Sequence, residues 1–267
     1  METELQQQKV EQRISPSARV IHEVILRQGE DELERPTSAL AWSGLAAGLS
    51  MGFSLIAEGL LQSKLPNQPW APLISKFGYS LGFLIVIIGR QQLFTENTLT
   101  PVIPLMEHRD KRTAENLLRL WGAVLAANIL GTVLVAWALA ATPVFSSAVQ
   151  NAFLVLSPQA MEPAWGEKVL RGIFAGWLIA LLVWILGAAK GEGTGVIIIL
   201  TYIIGLGGFT HVIAGSVESQ FLVWAGKISW WDAIAGYTLP ALIGNTIGGV
   251  SMVAAVNHAQ AKGHEAE

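Results

Sequence analysis

The chain has 267 residues, of which 52% are hydrophobic and 14% are charged, and its formal net charge is -3. Soluble domains carry about 25% charged residues, so this composition is typical of a protein embedded in lipid. The small net charge gives no reason to expect a nucleic-acid partner. Cysteine is absent, which excludes disulfides, thiolate metal sites and a cysteine nucleophile.

The first 36 residues form a polar segment that lacks the basic and apolar regions of a cleaved signal peptide. We expect residues 1–14 to be loose, and Ser15-Pro16 to form the N-cap and first position of a helix. The apolar residues that follow at helical spacing are Val20, Ile21, Val24 and Ile25. They predict an amphipathic helix that lies on the membrane, on its own bundle or on a neighbouring subunit.

Six apolar segments follow, each near the roughly 20 residues that a helix needs to cross a bilayer. Their predicted bounds are 37–62, 71–107, 114–141, 167–188, 193–225 and 232–257. The second and fifth segments are too long for one straight crossing, and polar residues interrupt both. We therefore predict an all-α membrane domain over 37–257, followed by a short tail over 258–267.

Lys and Arg predict the orientation of these spans. They are frequent in the N-terminal segment and in the loop after the second span, whereas the loop 142–166 has none. Both termini are therefore expected in the cytoplasm. Three spans per half would run in opposite directions, so the broken spans would be the middle members of two inverted three-helix repeats.

Glycines four residues apart predict close helix packing in the first, second and sixth spans, since small residues let backbones approach. They are Gly44, Gly48, Gly52, Gly78, Gly82, Gly244 and Gly248.

The two interruptions contain the candidate pathway residues. The first comprises Leu93, Phe94, Thr95, Glu96 and Asn97, and the second ends in Phe209, Thr210 and His211. Lipid cannot bond backbone groups that are freed at such a break, so the break must be buried in protein or line a cavity. Matched breaks in two halves predict a substrate pathway between them, and each break carries a Phe-Thr pair.

His211 is the one histidine within an apolar segment. A buried histidine can be a satisfied core residue, but an ionisable residue in a membrane is costly and usually faces a cavity. It could exchange a proton with a solute or act as a neutral hydrogen-bond donor. The hydroxyls of Thr95 and Thr210 could cap the backbone or contact solute, and half-helix N-termini could present N–H groups to an anion. Phe94 and Leu93 could form an apolar constriction, although Leu93 could equally serve packing.

These motifs resemble the formate/nitrite transporter family over about residues 15–258, most of all its YfdC-like inner-membrane branch. Leu93-Phe94-Thr95 after Gly89 is similar to the family's loop motif. The stretch from Phe209 to Ala214 is similar to its Phe-x-His-x-Ile-Ala motif. The resemblance implies an aquaporin-like bundle, a homopentamer with one pore per protomer, and small monovalent anions as solutes. It also implies that His211 and Thr95 contact the solute and that Phe94 lies at a constriction.

Four residues depart from the family pattern. Gly215 and Gly176 stand where the family has asparagines, which predicts a wider pore with fewer donors and a different or larger solute. Glu96 and Glu218 would repel an anion unless paired, and Arg90 is the expected partner of Glu96.

The leading hypothesis is a channel or proton-coupled transporter for a small monovalent anion, such as formate, nitrite or hydrosulfide, or for its neutral acid. Two alternatives remain: a channel for neutral solutes, although no Asn-Pro-Ala signature is present, and a non-conducting scaffold or receptor. The sequence shows no nucleophile–base arrangement, phosphate-binding loop or metal-ligand cluster, so we expect neither an enzyme nor a cofactor.

Overall fold

A computed structural model describes residues 16–188 and 193–263, so the segment 1–14 that was expected to be loose lies outside the described residues. The first helix, α1, spans Ala18–Glu34. Ser17 is its N-cap, because the Ser17 hydroxyl oxygen accepts a hydrogen bond from the Val20 N–H at 3.4 Å. The predicted start at Pro16 is therefore too early.

The further helices lie almost entirely within the predicted spans, except α6, which lies in the segment 142–166 that was predicted as a loop; the fold is all-α over the described residues. They are α2 Thr37–Gln62, α3 Ala71–Ile88, α4 Val102–His108, α5 Lys111–Ala141, α6 Ser147–Leu156, α7 Trp165–Ala188, α8 Gly193–Leu206, α9 Ala214–Trp224 and α10 Trp230–Gln260. Among the described residues, α2, α3, α5, α7 and α10 are long and apolar enough to cross a membrane, and α8 is a shorter apolar helix. The helical backbone of α10 continues to Gly263.

The second and fifth spans are broken, as predicted: α3 stops before α4, and α8 stops before α9. Each first half ends at a residue with left-handed backbone, Arg90 with φ 52° and Gly208 with φ 60°. In both cases the next N–H donates to a carbonyl five residues back, Gln91 to Val86 and Phe209 to Ile204, each at 3.0 Å. The two half-helices therefore end in the same way.

One asparagine from α5 holds the first break together. The Oδ1 of Asn128 accepts from the Phe94 N–H at 2.9 Å. Its Nδ2 donates to the carbonyl of Gly44 on α2 at 2.7 Å and to that of Gln92 in the break at 2.9 Å. Asn128 is fully buried, so these bonds replace those that the interrupted helix lacks.

Asn245 on α10 does the same for the second break. Its Oδ1 accepts from the Val212 N–H at 2.8 Å, and its Nδ2 donates to Gly172 on α7 and to Thr210, both at 2.8 Å. By this bonding Phe94 corresponds to Val212. The expected equivalence of the two Phe-Thr pairs is therefore wrong, because the asparagines and not the Phe-Thr pairs set the register of the repeat.

The predicted close packing at glycine is confirmed. A Cβ on Gly48 would lie 2.9 Å from the Asn128 carbonyl carbon, and one on Gly248 would lie 2.8 Å from the Trp177 nitrogen. The breaks are thus fixed between closely packed pairs, α2 with α5 and α7 with α10.

Candidate functional site

Two cavities enter the bundle from opposite ends. The N-terminal cavity, about 720 Å³, lies beside α1 and is lined by Glu32, Arg35, Arg90, Leu93, Glu96 and neighbouring residues. The distal cavity, about 200 Å³, is lined by a second set that includes Lys76, Tyr79, Phe209, Glu218 and Tyr237. Helix α3 begins at the distal cavity and ends at the N-terminal cavity, whereas α8 runs the other way. The antiparallel course of these half-helices is that of an inverted repeat.

Thr95 and His211 line neither cavity, and both are fully buried. The Thr95 Oγ1 lies 2.9 Å from the His211 Nε2. The other ring nitrogen, Nδ1, accepts the N–H groups of Ile213 at 3.3 Å and Ala214 at 3.2 Å. Since Nδ1 is an acceptor, the neutral ring carries its proton on Nε2 and donates it to the Thr95 hydroxyl oxygen.

Two aromatic residues that the sequence analysis missed hold this pair in place. The Phe83 ring meets the His211 ring edge-on, with centroids 4.9 Å apart. The Tyr237 hydroxyl donates to the His211 carbonyl oxygen at 3.2 Å. Phe83 gives no signal within an apolar run, but a tyrosine in an apolar span needs a hydrogen-bond partner, and this could have indicated Tyr237.

The N–H groups at the start of α9 are used within the protein. Val212 donates to Asn245, and Ile213 and Ala214 donate to His211. The expectation that these half-helix N–H groups would face an anion is therefore wrong. At the centre, the Nε2–H of His211 is bonded to the Thr95 hydroxyl, and a solute would have to exchange hydrogen bonds with this pair.

The other predicted pathway residues are divided between the two cavities. Leu93, Glu96 and Asn97 line the N-terminal cavity, and Phe209 and Thr210 line the distal cavity. Phe94 lines neither of them; its ring packs on that of Trp121, with centroids 5.7 Å apart.

Gly176 and Gly215 were expected to widen the pore, and this expectation is wrong. A Cβ on Gly176 would lie 2.7 Å from the Asn245 Cα, and one on Gly215 would collide with the Tyr237 phenol. The space beside each glycine is therefore filled, by the α10 backbone in one case and by a tyrosine side chain in the other.

The buried carboxylates do not all have cationic partners. Arg90 shares the N-terminal cavity with Glu96, but the described residues show no ion pair between them, and Glu96 Oε1 has no hydrogen-bond partner there. The expected partners therefore face one cavity without a direct ion pair, and the charge of Arg90 acts on Glu96 across that cavity. In the distal region the fully buried Glu58 pairs with Lys76, and Glu218 lines the same cavity as Lys76.

A bundle of membrane-crossing helices, with two broken helices that meet at a buried polar pair between two cavities, defines a multi-pass membrane channel or transporter. The sequence pattern of the formate/nitrite transporter family matches residues 19–259. This chain therefore belongs to the formate/nitrite transporter family, whose members are channels and transporters rather than enzymes.

Individual relatives agree with this assignment. The chain is 45% identical to "Inner membrane protein YfdC" of Escherichia coli K12 over 94% of this chain and 81% of that protein. It is 24% identical to "Formate channel BtFdhC" of Bacillus thuringiensis over 87% of this chain and 91% of that protein. A solved structure titled "Pentameric formate channel with formate bound" superposes with a TM-score of 0.69 at 18% identity, covering 82% of this chain and 95% of that one.

Proposed function

We propose that the chain conducts a small monovalent anion of the formate, nitrite or hydrosulfide type, or its neutral acid, between the two cavities. The observation that carries this proposal is the fully buried Thr95–His211 hydrogen bond, since the chain neighbour of Thr95, Glu96, lines the N-terminal cavity and that of His211, Thr210, lines the distal cavity. The relative BtFdhC, named a formate channel, supports this class of solute.

The central pair offers hydrogen-bond donors and carries no fixed charge. A bare anion between apolar side chains would lose its hydration, which is costly unless it is hydrogen-bonded or protonated. The Nε2–H of His211 and the hydroxyl of Thr95 can donate to a carboxylate or nitrite oxygen as it passes. We propose that the solute takes a proton from water in the first cavity, crosses the centre as the neutral acid while it exchanges hydrogen bonds with Thr95 and His211, and releases that proton to water in the next cavity, so that the protonation of His211 is unchanged.

We further propose a homopentamer in a bacterial inner membrane with both termini in the cytoplasm, so that the N-terminal cavity opens to the cytoplasm. Arg and Lys on the N-terminal side support this orientation. The relative named an inner membrane protein and the pentameric solved structure support the location and the assembly. Exposed apolar residues on the outer helix faces, such as Leu118, Leu170 and Ile199, suit contact with lipid or with neighbouring subunits.

Flux into proteoliposomes tests the proposal. Formate, nitrite and hydrosulfide uptake would be measured together with internal pH for the unmodified protein, Thr95→Val, His211→Asn and the control His108→Ala. We expect uptake and proton movement to fall strongly in the two central variants and to persist in His108→Ala, because His108 lies at the end of α4, outside both cavities. Full anion flux in both Thr95→Val and His211→Asn would contradict the proposal.

A channel for neutral solutes is the second candidate, and the carboxylates of the cavities favour it. Glu96 lines one cavity and Glu218 the other, and both would repel a free anion when ionised. Stopped-flow swelling of the same proteoliposomes in glycerol and urea distinguishes the two candidates. Rapid swelling without formate uptake would favour the neutral-solute channel.

A further inference from the structure

Three side chains that can bind metal meet outside the solute pathway. His22 lies on α1, Glu107 on α4 and His258 near the end of α10. One ligand atom from each lies within 4.8 Å of the others. The His22 Nε2 and the His258 Nδ1 are 2.9 Å apart although the two residues are separated by 236 positions in the chain. No metal-ligand cluster was visible in the sequence, because only the fold brings these residues together.

We propose that His22, Glu107 and His258 form a binding site for a divalent transition-metal ion of the zinc type. Two imidazole nitrogens and one carboxylate oxygen are a common protein ligand set for Zn²⁺, with water in the fourth position. Mg²⁺ and Ca²⁺ prefer oxygen ligands throughout, so two imidazoles select against them.

The spacing of the imidazoles suits this assignment. In a tetrahedral site with zinc–nitrogen bonds of about 2.0 Å, two nitrogens lie about 3.3 Å apart. The hydrogen-bonded separation of 2.9 Å would widen by a few tenths of an ångström as the metal replaces the shared proton. The rings are tilted by 44° with centroids 5.1 Å apart, so they are not stacked face to face and both nitrogens can point at one ion. His22 is buried, whereas Glu107 and His258 are partly exposed, which leaves a route for the ion.

The site joins three elements that are distant in sequence. Helix α1 also lines the N-terminal cavity with Gln28, Asp31 and Glu32. A metal ion held between α1, α4 and α10 would therefore fix α1 beside that cavity. This role does not depend on which solute the protein conducts.

Metal content tests the proposal directly. The full chain, with any purification tag removed, would be dialysed against Zn²⁺ and analysed by mass spectrometry for bound zinc. We expect one ion per protomer in the unmodified protein and at least about tenfold weaker binding in His22→Gln, Glu107→Gln and His258→Gln, since even outer ligand contacts change metal affinity about 10–100-fold. His108→Gln is the matched control, because His108 also lies near α1 but pairs with Glu30 instead.

Thermal melting in detergent separates binding from misfolding. We expect Zn²⁺ to raise the melting temperature of the unmodified protein and of His108→Gln, with no rise in the cluster variants and none from Mg²⁺. Unchanged zinc affinity in His258→Gln, or no zinc binding by the unmodified protein, would overturn the site. If a variant fails to fold, X-ray absorption spectroscopy of the zinc-loaded unmodified protein identifies the ligands of the ion instead. Two imidazole ligands would support the site, and coordination by oxygen atoms alone would contradict it.

Discussion

At the residue scale, two buried amides replace the hydrogen bonds that the broken helices lack. Asn128 and Asn245 each accept one backbone N–H and donate to two backbone carbonyls. An amide side chain can do this because it carries both an acceptor oxygen and two donor hydrogens. Lipid offers no substitute for these bonds, so each asparagine is needed to satisfy the backbone of its break.

Replacing Asn128 by alanine should destabilise the protein. It would leave the Phe94 N–H and the carbonyls of Gly44 and Gln92 without their side-chain partner, at about 1–3 kcal/mol for each buried group left unpaired. Thermal unfolding in detergent would show a clear drop in melting temperature relative to Asn151→Ala, where the side chain is exposed on α6. Equal stability of the two variants would refute this role.

Arg90 has a backbone conformation that suits glycine. A left-handed residue with a side chain costs about 1–2 kcal/mol, and the equivalent residue in the other repeat is Gly208. We expect Arg90→Gly to raise the melting temperature and to lower anion flux, because it removes a cation from the N-terminal cavity. Arg90→Lys should keep the flux and gain no stability. Lower stability in Arg90→Gly would show that the turn is not strained.

At the element scale, composition and length predicted the helices and the breaks, but not the register of the repeat. The spans are long apolar runs, and the polar residues of the breaks stand out within them. The residues that close the breaks gave a weaker signal. Asn128 accepts a hydrogen bond from an N–H group 34 positions away, and Asn245 from one 33 positions away. Each asparagine is an isolated amide in an apolar run. Only tertiary contact identifies their role, and this is why the Phe-Thr pairs were wrongly equated.

The contact between α7 and α10 should not tolerate a methyl group at Gly176. A Cβ there would lie 2.7 Å from the Asn245 Cα, which is backbone and cannot move aside. We expect Gly176→Ala to lower the melting temperature. Gly166 lies on the same helix with nothing within 4 Å of an added Cβ, so Gly166→Ala should be neutral or stabilising by up to about 1 kcal/mol. The same response at both positions would mean that the close contact is absent.

Docking of α1 should weaken as pH rises. Burial raises the pKa of Glu32 from 4.5 to about 7, although a hydrogen bond with Gln92 and the charges of Arg35 and Arg90 oppose the shift. Below pH 4.5 Glu32 is protonated whether α1 is docked or free. Between pH 4.5 and about 7 the free helix releases its proton first, so docking loses stability as pH rises and the loss is complete above about 7.

Hydrogen exchange over residues 18–34 measures this effect once intrinsic exchange rates are corrected. We expect less protection at pH 8 than at pH 5 in the unmodified protein, and little difference in Glu32→Gln. Glu34→Gln, at an exposed position on the same helix, should retain the full pH dependence. Equal protection at both pH values in the unmodified protein would rule out this coupling.

At the scale of the whole molecule, the inverted repeat brings two distant breaks to one point. Thr95 and His211 were identified in the sequence because a hydroxyl and an imidazole are unusual within apolar segments. Their contact across 116 positions and the proton on Nε2 follow only from the fold, which places the N–H groups of α9 at Nδ1. Gly176 and Gly215 were misinterpreted because the sequence does not show that α10 and Tyr237 fill the neighbouring space.

The chain lacks cysteine, so a single thiol placed at the centre reports directly on the solute route. Formate flux of Thr95→Cys would be measured before and after silver ions are added, beside Thr132→Cys, whose side chain is buried on α5. We predict that silver blocks Thr95→Cys and leaves both Thr132→Cys and the unmodified protein active. Flux through Thr95→Cys that continues in the presence of silver would contradict passage between Thr95 and His211.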